Sequence, residues 1–332
     1  MNLQQRLDLL QRLGDYISSD NTSWEETIEK AYRENGWFIP EFIRLATNNI
    51  ASEFLQPEKL KDWVTRYNVA GVLNKPKNVG IVMAGNLPLV GFHDFLSVFV
   101  FGHRQTIKPS SKDEVLIRHL LGKLAEWDPA FQHYAGFANM LKGCDAYVAT
   151  GSNNSSRYFK HYFGKYPNII RSNRTSVAVL SGQETMENLS ELADDVYQYF
   201  GLGCRNVTKL YVPTDYDFVP LLDAFRKYNH LADHNKYRNN YDYQLAVLLI
   251  NKEFYMTNGS IILRNHPSEF SPISTLNYEF YDDKEGLVGA LQANTNLQCI
   301  AGEGQVAFGT TQCPGLDDFA DRVNTMLFLR TL

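Results

Sequence analysis

Cysteine is scarce and unpatterned: the 332 residues hold 4, at positions 144, 204, 299 and 313, with no CxxC pair. That excludes a disulfide scaffold and a zinc-ribbon type of site, and it points to reduced thiols in a cytoplasmic setting. His93, His103, His161, His230 and His234 fall at no metal-ligand spacing, so no metal is expected. Long apolar runs are missing too. The best, Leu87 to Phe101, is interrupted by His93 and Asp94, so no membrane span is expected. The opening MNLQQRLDLLQRL is amphipathic and lacks the pattern of a signal peptide. Net charge is −5 with no long basic run, which argues against nucleic acid as a partner. Low-complexity linkers, tandem repeats and the GxGxxG fingerprint are all absent, so any dinucleotide site must be of another kind.

What remains is an ordinary globular composition, 44% hydrophobic and 21% charged, with 19 Tyr and 20 Phe available for a large core or an apolar pocket. Residues 1 to about 66 read as packing helices. Leu3, Leu7, Leu10 and Ile17 lie near helical spacing, Ser23-Trp-Glu-Glu26 has a capping-box pattern, and a third stretch starts at Pro40. From Val69 the texture changes. Asn78 to Ala84 is a buried-strand run closed by Gly85-Asn86-Leu87-Pro88. A helical run to Phe101, a strand Gln105–Lys108, the turn Pro109-Ser110-Ser111 and a helix Asp113–Trp127 follow. Asp145–Ala149 is a further strand, ending in Thr150-Gly-Ser-Asn-Asn154. Strand, glycine turn, helix, strand is the rhythm of a parallel sheet that takes ligands at its carboxyl edge. A second α/β half begins after Val177–Leu180, and the tail Gly315–Leu332 reads as a terminal helix.

One stretch organises the second half. A polar helical run, Glu184 to Tyr199, ends at Gly201 and Gly203, and a β-branched run starts at Val207. Two glycines permit a sharp turn, which would set Cys204 at the mouth of a helix-to-strand connection. A thiol there is open to a substrate, and nearby N–H groups can face a developing oxyanion. Taken alone, a cysteine is more often a small buried hydrophobe. Cys144, Cys299 and Cys313 lack a comparable setting and read that way. Asn86 alone is a turn residue before proline, and Lys108 alone is a solvated lysine.

Together these turns resemble the aldehyde dehydrogenase superfamily, and within it the LuxC-type acyl-CoA reductases. Gly85-Asn86-Leu87-Pro88 is similar to the P-W-N-x-P turn, Lys108-Pro109-Ser110-Ser111 to K-P-S-E, Thr150-Gly151-Ser152 to T-G-S, and Gly201-Leu202-Gly203-Cys204 to the G-Q-x-C nucleophile loop. They stand in the family's order across roughly residues 70 to 310. The resemblance implies an α/β aldehyde-dehydrogenase-like fold of two Rossmann-like three-layer domains behind a helical N-terminal region. The expected division is residues 1–178 for the helices and nucleotide-binding domain, 179–310 for the cysteine-bearing domain and 311–332 for a C-terminal helix.

By the same resemblance, Cys204 is the nucleophile, and the Asn86 amide joins the Cys204 N–H as an oxyanion donor. Lys108, Ser110, Ser111, Gly151, Ser152 and Glu269 bind the cofactor. Glu269 stands one place out of register in Ser268-Glu-Phe-Ser-Pro272, the counterpart of E-x-F-G-P. Two departures shape the expected activity. The glutamate of E-L-G-G, which activates water, has no counterpart in Ile170-Arg-Ser-Asn-Arg-Thr175. That suits a reductase, which must not hydrolyse its acyl-enzyme. The ribose-binding glutamate of K-P-S-E is replaced by Ser111, beside Lys112, and this favours NADPH, whose 2′-phosphate an acid would repel. The expected activity is therefore NADPH-dependent reduction of an acyl-CoA to its aldehyde through an acyl-cysteine, by a homo-oligomer or beside an acyl-donating partner enzyme. Two readings stay alongside it: an acyl-phosphate reductase of the same superfamily, and a relative that keeps the fold without turnover.

Overall fold

The chain opens with amphipathic helices whose leucines and aromatics fall on one stripe, and the stripe is buried. These are α1 (Leu3–Ile17), α2 (Thr22–Glu34), α3 (Pro40–Asn49), which runs into a π-helical turn Ile50–Phe54, and α4 (Pro57–Arg66). Pro40 and Pro57 occupy first helical turns, where a missing N–H costs nothing. The start of α2 differs from the capping box expected at Ser23: Asn21, in extended conformation, caps the helix by accepting the Ser23 N–H.

The computed structural model describes all residues from Met1 to Leu332. The first sheet holds β1 (Asn78–Val82), β2 (Arg104–Lys108), β3 (Ala135–Phe137), β4 (Ala146–Thr150) and β5 (Asn168–Arg171). Helices α5 (Phe92–Phe101), α6 (Val115–Trp127) and α7 (Asn153–Phe163) connect them. All pairings are parallel and the order is β3-β2-β1-β4-β5. Helix α5 leads from β1 to β2, whereas α7 leads from β4 to β5 on the opposite side. The order therefore reverses between β1 and β4, and the crevice outside their carboxyl ends is where such sheets take ligands.

The acidic residue that interrupts the apolar run of α5 is paired. Buried Asp94 receives two bonds from Arg171 Nη1, at 2.8 and 2.6 Å, and Arg171 Nη2 donates to Thr325 Oγ1 at 2.9 Å. Arg171, read from sequence as part of the missing-base stretch, is thus a structural ion-pair residue.

The second sheet contains β6 (Thr175–Val179), β7 (Val207–Pro213), β8 (Met256–Thr257), β9 (Ile262–Asn265), β10 (Thr275–Tyr281) and β11 (Leu297–Gly302), in the order β11-β6-β7-β10-β9-β8. Only the β8–β9 pairing is antiparallel. Its helices are α8 (Met186–Tyr197), α9 (Val219–Ala224), α10 (Asn235–Asn251) and α11 (Lys284–Ala293).

Contacts divide the chain into one unit of Met1–Asn173 with Pro314–Leu332 and a second of Arg174–Cys313. The division expected after residue 178 falls inside β6, which pairs with β7 and β11 and so belongs wholly to the second unit. The tail is not a long helix either. It carries a 3-10 turn, Ala320–Arg322, and the six-residue α12 (Thr325–Arg330), which packs on α5 in the first unit. No helix is long and apolar enough to cross a membrane.

Candidate active site

Three of the four motif turns lie at the carboxyl edge of the first sheet. Gly85–Pro88 follows β1, Lys108–Ser111 ends β2, and Thr150–Ser152 ends β4. The first two turns touch. The Met83 N–H donates to the Lys108 carbonyl at 3.0 Å, and a Cβ on Gly85 would stand 2.4 Å from Ser110 Oγ. Glycine is required at position 85 by this contact rather than by a left-handed φ.

Asn86, Lys108 and Ser111 are exposed, and Ser110 is half-buried with its Oγ accepting the Lys112 N–H at 3.2 Å. At the third turn Gly151 has no room for a side chain, because a Cβ would lie 2.9 Å from Phe159 and from Ser155. Ser152 caps α7, accepting the Ser155 N–H at 3.2 Å. The hydroxyls of Ser110 and Ser152 therefore shape their turns, while Lys108 and Ser111 face outward.

Asp113, read from sequence as the start of a helix, is not helical. α6 begins at Val115, and the Asp113 carboxyl turns inward to accept the Leu89 N–H at 2.7 Å. The edge thus shows exposed Lys108 and Lys112 with the nearest acid buried. That charge arrangement fits an anionic dinucleotide. Nothing in the sequence marks Asp113, because Leu89 lies 24 positions away.

Cys204 and Glu269 belong to the second unit, at the amino edge of its sheet. The helix-to-strand connection is tighter than two glycines alone would make it. Tyr199, Phe200 and Gly201 follow one another at φ 55°, 58° and 73°, and the two aromatic rings are buried. Left-handed backbone costs a non-glycine residue about 1–2 kcal/mol, so packing holds this turn. Phe200 lies against His234 and Tyr237, at ring distances of 4.7 and 5.7 Å. Gly203, the second glycine of the motif, is not left-handed.

Gly203 instead opens a closed four-residue turn. The Asn206 N–H donates to the Gly203 carbonyl at 3.2 Å, and the Gly203 N–H donates to Asn206 Oδ1 at 2.7 Å. Cys204 is the second residue of that turn, half-buried, with its carbonyl receiving the Ser176 hydroxyl at 3.0 Å. Asn206 is fully buried, and its Nδ2 reaches the carbonyls of Asp195, Val196 and Gln198 at 3.0, 3.4 and 2.9 Å. One side chain thus ties the end of α8 to the cysteine turn. Sequence reasoning missed Asn206. The available signal was an Asx residue closing a Gly-x-x-Asn segment.

Asp195, also fully buried, accepts the Gly309 N–H at 2.8 Å and both the Thr311 N–H and hydroxyl, at 3.0 and 2.7 Å. Burial pushes its carboxyl up to about 6, against those three donors, which pull it down.

Glu269 sits in a loop whose successive carbonyls are held by side chains from the sheet. Lys209 donates to Pro267 at 2.7 Å, Asn277 to Ser268 and Phe270 at 2.9 and 3.1 Å, and Thr208 to Glu269 at 2.6 Å. The Glu269 carboxylate itself accepts from Asn294, and from Asn296 at 3.4 Å. Lys209 is wholly buried and pairs with Glu279. Glu303, the other acid near the end of β11, is exposed and paired with Lys284 at 2.8 Å, which lowers its pKa. Cys144 and Cys299 are buried, and Cys299 Sγ lies 3.0 Å from the Ser176 hydroxyl.

The sequence matches no protein-family model and no curated protein. Solved structures are similar in fold. Aldehyde dehydrogenase 21 of Physcomitrella patens, solved with the reaction product succinate, has a TM-score of 0.67 at 12% identity, over 91% of this chain and 74% of that one. An NAD+ complex of an aldehyde dehydrogenase from Bacillus cereus gives 0.61 at 13% identity, over 91% and 72%. A mutant of aldehyde dehydrogenase C from Pseudomonas syringae, solved with NAD+ and octanal, gives 0.61 at 12% identity, over 87% and 70%. The fold is aldehyde-dehydrogenase-like, and at these identities the likeness is one of fold.

Proposed function

We propose that the chain reduces an acyl-CoA thioester to its aldehyde, using NADPH and a covalent acyl-Cys204. The observation that carries this reading is Cys204 at the tip of the closed Gly203–Asn206 turn, on the connection between α8 and β7. Similar folds solved with NAD+, succinate and octanal support a nicotinamide cofactor and an aldehyde or acyl substrate. The finer choice rests on residues. Arg171–Thr175 offers no carboxylate to activate water, and Ser111 with Lys112 replaces the acid that would repel a 2′-phosphate.

In this mechanism Cys204 Sγ bonds to the thioester carbonyl carbon. The carbon–sulfur bond to CoA breaks, and CoA leaves as a thiolate that takes up a proton. The Cys204 N–H and the Asn86 amide are the oxyanion donors that the resemblance assigns, each worth about 3–4 kcal/mol in comparable sites. The Gly203 N–H is not one of them, since Asn206 already accepts it. NADPH, held by Lys108 and Ser111 with Gly151 and Ser152 at the neighbouring turn, supplies a hydride when bound. Glu269, fixed by Asn294 and Asn296, is proposed to take the nicotinamide ribose. Cys204 then departs as a thiolate, and the aldehyde leaves.

The test is intact-mass measurement with a panel of acyl-CoAs and acyl phosphates, without cofactor. One acyl group should add from acyl-CoA, and Cys204→Ala should abolish the adduct. Acylation that persists in the alanine variant, or that occurs from acyl phosphates alone, defeats the proposal. In the reverse direction, aldehyde oxidation by NADP+ should require CoA, because no base stands ready to hydrolyse the acyl-enzyme.

A further inference from the structure

We propose that Asp113 is a positioning residue that staples the Asn86 turn to the Lys108–Ser111 turn, so that the oxyanion donor and the cofactor-binding turn are held as one piece. The consequence for catalysis rests on the function proposed above, but the staple itself does not. Asp113 is 6% exposed, its Oδ2 accepts the Leu89 N–H at 2.7 Å, and its Oδ1 is buried with no partner. Leu89, three residues beyond Asn86, is left-handed at φ 56°, a conformation that leucine keeps only when something holds it.

Asp113 is itself fixed, because its N–H donates to the Ser110 carbonyl at 3.0 Å and closes the Ser110–Asp113 turn. The same two turns meet at Gly85 against Ser110 and at the Met83–Lys108 bond. On the outer side, Asn35 Nδ2 donates to the Lys112 carbonyl at 3.1 Å. A carboxyl buried with only one of its oxygens bonded is an expensive way to fill space. An apolar side chain would pack there more cheaply but would leave the Leu89 N–H orphaned. Burial pushes the Asp113 carboxyl well above its usual range, which favours the neutral acid, and asparagine is its nearest uncharged replacement.

The experiment compares wild type, Asp113→Asn and Asp113→Leu by amide hydrogen exchange at Leu89 and by the rate of Cys204 acylation without cofactor. Leu89 should be protected in wild type and in Asp113→Asn, and should exchange at least about tenfold faster in Asp113→Leu. Acylation should fall about tenfold or more in Asp113→Leu, part of the 10²–10³ that losing an oxyanion donor costs, and Asp113→Asn should restore it. Gly85→Ala gives a second route should the leucine variant not fold. Its Cβ would wedge the turns apart, and faster Leu89 exchange with slower acylation should follow as in Asp113→Leu. Unchanged Leu89 exchange in Asp113→Leu overturns the staple, and faster exchange with an unaltered acylation rate overturns its positioning role. If the wild type takes up no acyl group, the proposed function falls, while Leu89 exchange still decides the staple.

Discussion

At the carboxyl edge of the first sheet, Asn86, Lys108, Ser111 and Ser152 are exposed. The turns beneath them are held by the close contacts of Gly85 and Gly151, by short-range turn bonds and by one carboxyl that uses a single oxygen. At the amino edge of the second sheet, Cys204 is half-buried on a turn whose organiser, Asn206, bonds through both Oδ1 and Nδ2. The difference fits what each edge is proposed to do. A nucleotide edge meets a large flexible ligand and can let that ligand complete its geometry. A reacting atom must already be in place, since misplacement by about 1 Å can cost a factor of 10². Polar saturation is found around the proposed nucleophile, and exposed polar groups at the edge proposed to bind the cofactor and lend the Asn86 amide.

Removing Asn206 should therefore have the largest effect. Asn206→Ala orphans the Gly203 N–H and the carbonyls at the end of α8, at about 1–3 kcal/mol for each buried group left bare. The expected loss is about 3–5 kcal/mol of unfolding free energy, measured by denaturant titration. Alkylation of Cys204 in the folded variant should also slow. A variant as stable and as reactive as wild type would remove the distinction between the two edges.

Asp195 gives an effect of intermediate size, visible in pH dependence. Its folded carboxyl titrates near 6 and its unfolded counterpart near 3.8. Between these values the folded state holds more protons, so this group's contribution weakens as pH rises through the window and recovers on mild acidification. A shift of this size corresponds to about 2–3 kcal/mol. Asp195→Asn should flatten the stability profile between about pH 4 and 6, whatever it does to stability overall. Asp113, raised for the same reason, adds a slope of the same sign that should survive in the variant. Identical profiles for wild type and Asp195→Asn would show that the carboxyl is not desolvated as its burial implies.

Legibility in the sequence followed the range of the interactions. The strands at Asn78, Gln105 and Val207 and the turns that end the first two were readable, because β-branched runs and glycines act on their own neighbours. The rhythm of strand and helix carried the fold class with them. Asp113 and Asp195 were not readable, because each acts on a partner 24 to 116 positions away with nothing local but a polar letter. Asn206 had a local partner in Gly203, but its contacts at the end of α8 do not show in the sequence. Tyr199 and Phe200 gave no sign of left-handed backbone, since their packing against distant residues imposes it. The division between units was misplaced for a related reason. β6 reads like any buried strand, and only its partners, β7 and β11, assign it to the second sheet.

The smallest effect should come from the exposed edge, and it should touch function without touching stability. Ser111 is exposed, Lys108 and Lys112 flank its turn, the Asp113 carboxyl is turned inward on the Leu89 N–H, and the Glu114 carboxylate is paired with Arg118. No acid stands at position 111 to oppose a 2′-phosphate, which is the basis for proposing NADPH over NADH. Ser111→Glu adds one carboxylate to solvent-exposed backbone, so unfolding free energy should stay within about 0.5 kcal/mol of wild type. The added charge would stand within a few ångströms of a bound 2′-phosphate but largely in water, where such a repulsion amounts to about 1 kcal/mol. The ratio of kcat/KM for NADPH to that for NADH should accordingly fall by about fivefold. Salt should shrink that change, because screening reaches exposed charges first. A wild type that uses NADH equally well would remove the argument. So would a ratio unmoved by the substitution, since a carboxylate placed beside the phosphate has to be felt.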